Sequence, residues 1–139
     1  MKIEPFLLGF TVDEWIDACP LHNKKVTNPD IQAALEKLYD HFSMPGKPAH
    51  DILTVKGGSV PRHTHPEWTL IYYVLPGEPP CAILVDELRI EPIQGCAILL
   101  PPKMPHSVEP LKGGIRLSIA LRWEEDNETD ISTTTAACG

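Results

Sequence analysis

Apolar positions fall into two textures along the chain. Ile31, Leu35 and Leu38 recur at i, i+4 and i+7, with Ala34 and Phe42 extending the stripe, so the spacing predicts an amphipathic helix from Asn28 to about Phe42. Asn28 supplies its cap and Pro29 its first helical position. A shorter helical segment, Val12 to Ala18, follows Thr11 as its cap and is stopped by Pro20. The single apolar stripe of the longer helix needs a surface to cover, and the outer face of the sheet that follows is the candidate.

From Ala49 onward the pattern changes to short β-rich runs between glycines and prolines. Ile52 to Val55, Thr69 to Val74, Ala82 to Val85, Leu88 to Ile90, Ala97 to Leu100, His106 to Val108 and Ile115 to Arg122 are all of strand length. Seven or eight strands with no crossover helix describe an antiparallel sandwich or small barrel. The chain therefore divides into a helical layer over 1–48, a barrel over 49–123 and an acidic, disordered tail over 124–139.

Composition sharpens this picture. At 139 residues the chain has the size of one domain, and 15 prolines disfavour a helical bundle. The net charge of −7 is carried mostly by Glu124, Glu125, Asp126, Glu128 and Asp130. With no basic stripe, nucleic acid and anionic membranes are excluded as expected partners. No apolar run is long enough for a membrane span and the first residues do not form a secretory signal, so the expected location is the cytoplasm. Cys19, Cys81, Cys96 and Cys138 form no CxxC pair and are expected to be reduced packing residues.

The histidines carry the chemistry. In an extended strand His63 and His65 present two imidazoles on one face, and a barrel can bring His106 opposite them. Three neutral imidazoles would hold a divalent cation and leave its other face open. Glu67 is a candidate further ligand if strand alternation continues through Pro66, which a bulge there would break. His22, His41 and His50 have no partner at ligand spacing and are expected at the surface or in packing. Trp68, Tyr72 and Tyr73 are aromatic strand residues of the core or of a substrate pocket.

The segment from Gly57 to Gly77, with His63-Thr64-His65-Pro66 at its centre, resembles the first motif of the cupin superfamily. Gly95, Pro101 and His106 resemble the second. The two motifs and the hairpin between them span about half the chain. The resemblance implies a cupin-type double-stranded β-helix, a jelly-roll barrel here fronted by the helical layer, with His63, His65 and His106 as metal ligands. The acid that many cupins place after the second histidine aligns with Leu70, and the glycine preceding the last histidine aligns with Lys103 or Met104.

A second resemblance lies in His106-Ser107-Val108 followed by Arg116-Leu117-Ser118, which is similar to the closing motif of 2-oxoglutarate-dependent iron oxygenases. It implies that Arg116 and Ser118 bind the distal carboxylate of that co-substrate, against the reading of Arg116, Ser118 and Arg122 as the solvent face of a strand. Together the resemblances imply a non-haem Fe(II) dioxygenase with three histidines, acting on a small anionic chelating substrate, with Tyr73, Arg116 and Ser118 at the substrate or co-substrate. Zinc, nickel or manganese fit the same ligands. A 2-oxoglutarate-dependent hydroxylase, a sugar-phosphate isomerase or epimerase, and a non-catalytic small-ligand module are the alternatives. Single-barrel cupins often form homodimers, which leaves self-association open as a further partner.

Overall fold

The computed structural model describes residues 1–6, 29–55 and 59–125, with His50 to Val55 described by their backbone. The segment capped by Thr11, His22, Cys19, Cys138 and the tail beyond Glu125 lie outside the described residues. Helix α1 (Pro29–Phe42) follows the helical spacing, and Ile31, Ala34, Leu35, Leu38, Tyr39 and Phe42 form its buried face. Ser43 ends it in the left-handed region (φ 48°), with its N–H donating to the Tyr39 carbonyl at 2.8 Å.

The strands are β1 (Lys2–Pro5), β2 (Lys47–Val55), β3 (Val60–His63), β4 (Trp68–Pro76), β5 (Ile83–Val85), β6 (Leu88–Ile90), β7 (Cys96–Leu100), β8 (His106–Val108) and β9 (Arg116–Glu124). They form two antiparallel sheets, β1-β7-β4-β9-β2 and β3-β8-β5-β6, which make a small jelly roll. β1 is a departure from the expected N-terminal layer: its four residues add to the edge of the first sheet beside β7. Four residues ending in proline are too short for an alternation signal, so sequence periodicity had no hold on them.

Alternation in the first sheet separates two cores. Leu70, Tyr72, Ala97, Leu99, Leu117, Ile119, Leu121 and Trp123 pack beneath α1. Ile71, Tyr73, Cys96, Ile98 and Leu100 point the other way, into the barrel, where they meet Cys81, Ile83, Val85 and Val108. β7 is buried on both faces, which is why its sequence is an unbroken apolar run. A bulge between Tyr73 and Leu75 shifts the pairing of β4 with β9 and sends both Val74 and Leu75 to the helix side. Trp68 and Tyr72 therefore belong to the outer layer, with the Tyr72 hydroxyl donating to the Phe6 carbonyl, and only Tyr73 of the three strand aromatics enters the barrel.

The same parity sorts β9. Leu117, Ile119, Leu121 and Trp123 lie under the helix, so Arg116, Ser118, Ala120 and Arg122 face inward. Arg116 is 2% exposed. Reading Arg116 and Ser118 as a solvent face is thus overturned: the helix occupies the side that the sequence could have left to water. Cys81 and Cys96 are buried free thiols, as expected of packing cysteines. Among the described residues no helix is long and apolar enough to cross a membrane.

Candidate metal centre

His63 ends β3 and lies directly across from His106, the first residue of β8. His65 lies two residues beyond the strand, so it does not share the regular strand face expected of it. A loop contact places it instead: the Lys103 N–H donates to the His65 carbonyl at 2.7 Å. That links the turn before His106 to the segment after His63. Lys103 holds the left-handed conformation there (φ 64°), the conformation a glycine would take without strain.

The three rings converge, with centroids 4.8 Å apart for His63 and His65, 4.2 Å for His63 and His106, and 5.0 Å for His65 and His106. One ring nitrogen from each lies within 4.8 Å of the others. Nitrogens about 2.1 Å from one ion stand about 3–3.4 Å apart, so a modest swing of the rings closes the set. The donors suit a cation. His63 Nδ1 is 2.7 Å from the Pro61 carbonyl and His106 Nδ1 is 2.9 Å from the Met104 carbonyl. A carbonyl only accepts, so Nδ1 carries the proton in both rings and Nε2 keeps its lone pair for a metal.

The electrostatics of His65 and His106 disfavour their charged forms. Burial, reinforced by His106, His63 and the Arg122 cation, takes His65 from its ordinary 6.5 down to about 4. Burial also lowers His106, against the hydrogen bond to Met104 and with the help of His63. Neutral imidazole is the state a metal ligand requires.

The centre lies in a cavity of about 200 Å³ that runs along the inner face of β9 past Ser118 and Ala120 to Arg116. Val60, Ile71 and Val108 supply apolar wall and Thr69 a hydroxyl, which donates to the Glu67 carbonyl at 3.3 Å. Glu67 is neither one of the converging ligands nor part of the lining. The chain bends at Pro66 and Glu67, and that bend breaks the parity on which its candidacy depended. Leu70, at the position of the missing acid, is buried against the helix layer. No carboxylate is among the described lining residues, whereas two arginines are.

Arg122, Thr69 and Ala120 join the site without having been singled out beforehand as part of it. The signal was present for Arg122 and Ala120, which share the parity of Arg116 and Ser118, but it needed the helix to say which face was inside. His41 behaves as a surface residue, packing edge-on to Phe6 at 5.1 Å and contacting Glu4.

Neither a protein-family model nor a curated protein matches this sequence. Solved structures do match its fold, and they include cupin superfamily proteins. One is the plu4264 protein from Photorhabdus luminescens, at 14% identity and a TM-score of 0.50, covering 67% of this chain and 76% of that one. Another is a cupin superfamily protein from Desulfitobacterium hafniense, at 14% identity and a TM-score of 0.49, covering 59% and 72%. A third is a cupin 2 conserved barrel domain protein from Rhodopseudomonas palustris, at 17% identity and a TM-score of 0.48, covering 55% and 51%. At these identities the likeness is one of fold. It lends nothing to the 2-oxoglutarate oxygenase resemblance, which stays with the residues that suggested it.

Proposed function

We propose that this chain is a metal-dependent dioxygenase for small anionic molecules, with one divalent ion, Fe(II) first, held by His63, His65 and His106. One observation carries the reading: three imidazoles, each with a ring nitrogen within 4.8 Å of the others, at a cavity whose described lining holds arginines and no carboxylate. Neutral ligands leave the full charge of the ion uncancelled, so the site attracts an anion able to displace its water. Iron, when bound, supplies the capacity to bind substrate donors and O₂ side by side.

The chain's own residues do the rest. Arg122, close enough to His65 to disfavour its charge and paired with Glu124 at 3.7 Å, adds a cation to the cavity lining that would attract an anion. Thr69 and Ser118 offer hydroxyls, while Val60, Ile71 and Val108 keep bulk water from the reacting atoms. A general acid or base is absent from the described lining apart from the ligands themselves. That favours chemistry whose reactivity comes from the metal and O₂, and it is also what a non-catalytic binding module would show.

Metal analysis of tag-free protein, followed by O₂ uptake with a panel of thiols, diols and 2-oxo acids, tests this. The expected result is about one metal per chain and substrate-dependent O₂ consumption by the iron form. Failure to take up Fe(II) anaerobically overturns the reading. Saturable anion binding without O₂ uptake would leave the binding module, and stoichiometric succinate release would single out the 2-oxoglutarate version.

A further inference from the structure

The cavity that holds the histidines is built in rungs of unlike character. Cross-strand pairing sets Thr69 opposite Arg122, Ile71 opposite Ala120 and Tyr73 opposite Ser118 on the inner face of β4 and β9. Side chains so paired stand about 5 Å apart at Cβ and act as one unit of wall. The facing sheet pairs His63 with His106 and Val60 with Val108. Arg122 is close enough to His65 to disfavour its charge, so the rung of Thr69 and Arg122 faces the histidines. The next rung inward, Ile71 and Ala120, then faces Val60 and Val108, and all four line the cavity.

These four side chains carry no polar atom, so they form an apolar collar one step from the ligand nitrogens. Three of its walls are held by the core: Ile71 and Val108 are packed within it, and Val60 lies against it. The fourth is different. Ala120 is half-buried and is the smallest of the described lining residues, on a strand whose other face carries Leu117, Ile119 and Leu121. The space left open depends on it. The whole cavity is about 200 Å³, whereas one of about 150 Å³ takes a benzene-sized molecule and drug-sized ligands need about 300 Å³ or more. An occupant therefore has roughly eight non-hydrogen atoms.

We infer that the collar is the specificity element of the site: it takes the aliphatic chain of a short acid whose carboxylate lies at the histidine centre with Arg122, and Ala120 sets the longest chain admitted. The placement of the head rests on the metal reading above, while the preference of the collar does not. Each methylene moved from water into the collar strengthens binding by about three- to fourfold. A chain that outgrows the collar reaches Ser118 and Arg116, whose Nε and Nη1 are buried without a hydrogen-bond partner. A methyl group there answers none of those donors and keeps water from them, so the gain ends at the collar's edge.

Calorimetric titration of the zinc-loaded protein with unbranched monocarboxylates from acetate to octanoate tests the proposal. Affinity is expected to rise about three- to fourfold per carbon, to a limit near about six carbons, and then to fall. Ala120→Leu fills the collar and should lower that limit by about two carbons, weakening the wild-type optimum about tenfold or more. Zinc content and acetate affinity should not change. Ile71→Val widens the collar and should raise the limit by about one carbon. A merely structural role for these residues would weaken every chain length alike and would lengthen none.

The same proteins free of metal, titrated with primary alcohols from ethanol to octanol and followed by amide NMR shifts, separate this inference from the metal reading. A neutral head asks nothing of the histidines, so the length limit and its displacement in Ala120→Leu should persist. A chain that takes up no zinc yet shows that limit loses the metal reading and keeps the collar. A limit in either series that moves with Ala120→Leu supports the inference. No binding or no length limit in either series, or a limit that Ala120→Leu leaves in place, overturns it. Should Ala120→Leu not fold, Ala120→Val takes its place with a displacement of about one carbon, and an unmoved limit there overturns the collar as well.

Discussion

Strand β9 carries two sequences interleaved residue by residue. Its odd-numbered members Leu117, Ile119, Leu121 and Trp123 are closed against α1, where Tyr39 meets Trp123 edge-on at 5.3 Å. Its even-numbered members Arg116, Ser118, Ala120 and Arg122 line the cavity that holds the three histidines. The outer face follows the rule for a core, large apolar groups with no donor to satisfy. The inner face breaks it, holding a buried arginine whose donors are left open. A strand so divided assigns stability to one side and ligand chemistry to the other, so substitutions on the two sides should separate cleanly.

The strongest way to break that division is to truncate the outer side. Leu121→Ala removes a fully buried side chain from beneath the helix, and a loss of about 2–5 kcal/mol in unfolding free energy is expected by denaturant titration. Metal content per folded chain should not change. A variant that keeps its stability, or one that stays folded yet loses the metal, would mean that the two faces are not independent.

On the inner side, His106→Ala should reverse the pattern. Loss of an outer-shell partner alone costs about 10–100-fold in metal affinity, so loss of a ligand should exceed about a hundredfold in a chelator competition. The unfolding midpoint of the metal-free protein should move little, since His106 leaves behind only the accepting Met104 carbonyl. A large drop in metal-free stability with metal retained would assign His106 to the core instead.

How far the sequence carried this comparison depends on the side considered. The helix stripe was legible because Ile31, Leu35 and Leu38 repeat at a period that only a helix explains. The strands were legible from their punctuation, and the three histidines from motif spacing. Which face of β9 was inside was not legible, since strict alternation is symmetric and only the docking of α1 breaks the tie. The strand-face reasoning for His65 and for Glu67 as a further ligand failed for a related reason, although His65 does join the histidine group. Period-two reasoning holds while the chain is a strand, and β3 ends at His63.

The pH dependence of the metal-free protein sharpens the inner side further. His65 titrates near 4 when folded and near 6.5 when unfolded, so the unfolded chain takes up protons first. Its contribution is fully present above pH 6.5 and is lost as pH falls toward 4, with His106 shifted in the same direction. Glu4 and Glu109 are held below their ordinary 4.5 by His41 and Arg89 respectively, so they act only at lower pH. Unfolding free energy should therefore decline between pH 6.5 and 4.5, and His65→Gln should flatten the decline. An equal slope in both proteins would remove His65 as its source.

The smallest expected effect tests the joint between the two histidine segments. Lys103 occupies the left-handed region at φ 64°, where a side chain costs about 1 kcal/mol, and its N–H holds the His65 carbonyl. Lys103→Gly should relieve that strain while keeping the N–H. The net gain should be about 0.5–1 kcal/mol, reduced by the entropy glycine adds to the unfolded chain, with metal affinity retained. Lys103→Pro should do the opposite, because proline fixes φ near −65° and has no N–H to donate. It removes both the turn and the bond to His65, so stability and metal affinity should fall together. If Lys103→Pro binds metal as wild type does, His65 is positioned by something other than this turn, and the histidine centre does not depend on the loop that joins its halves.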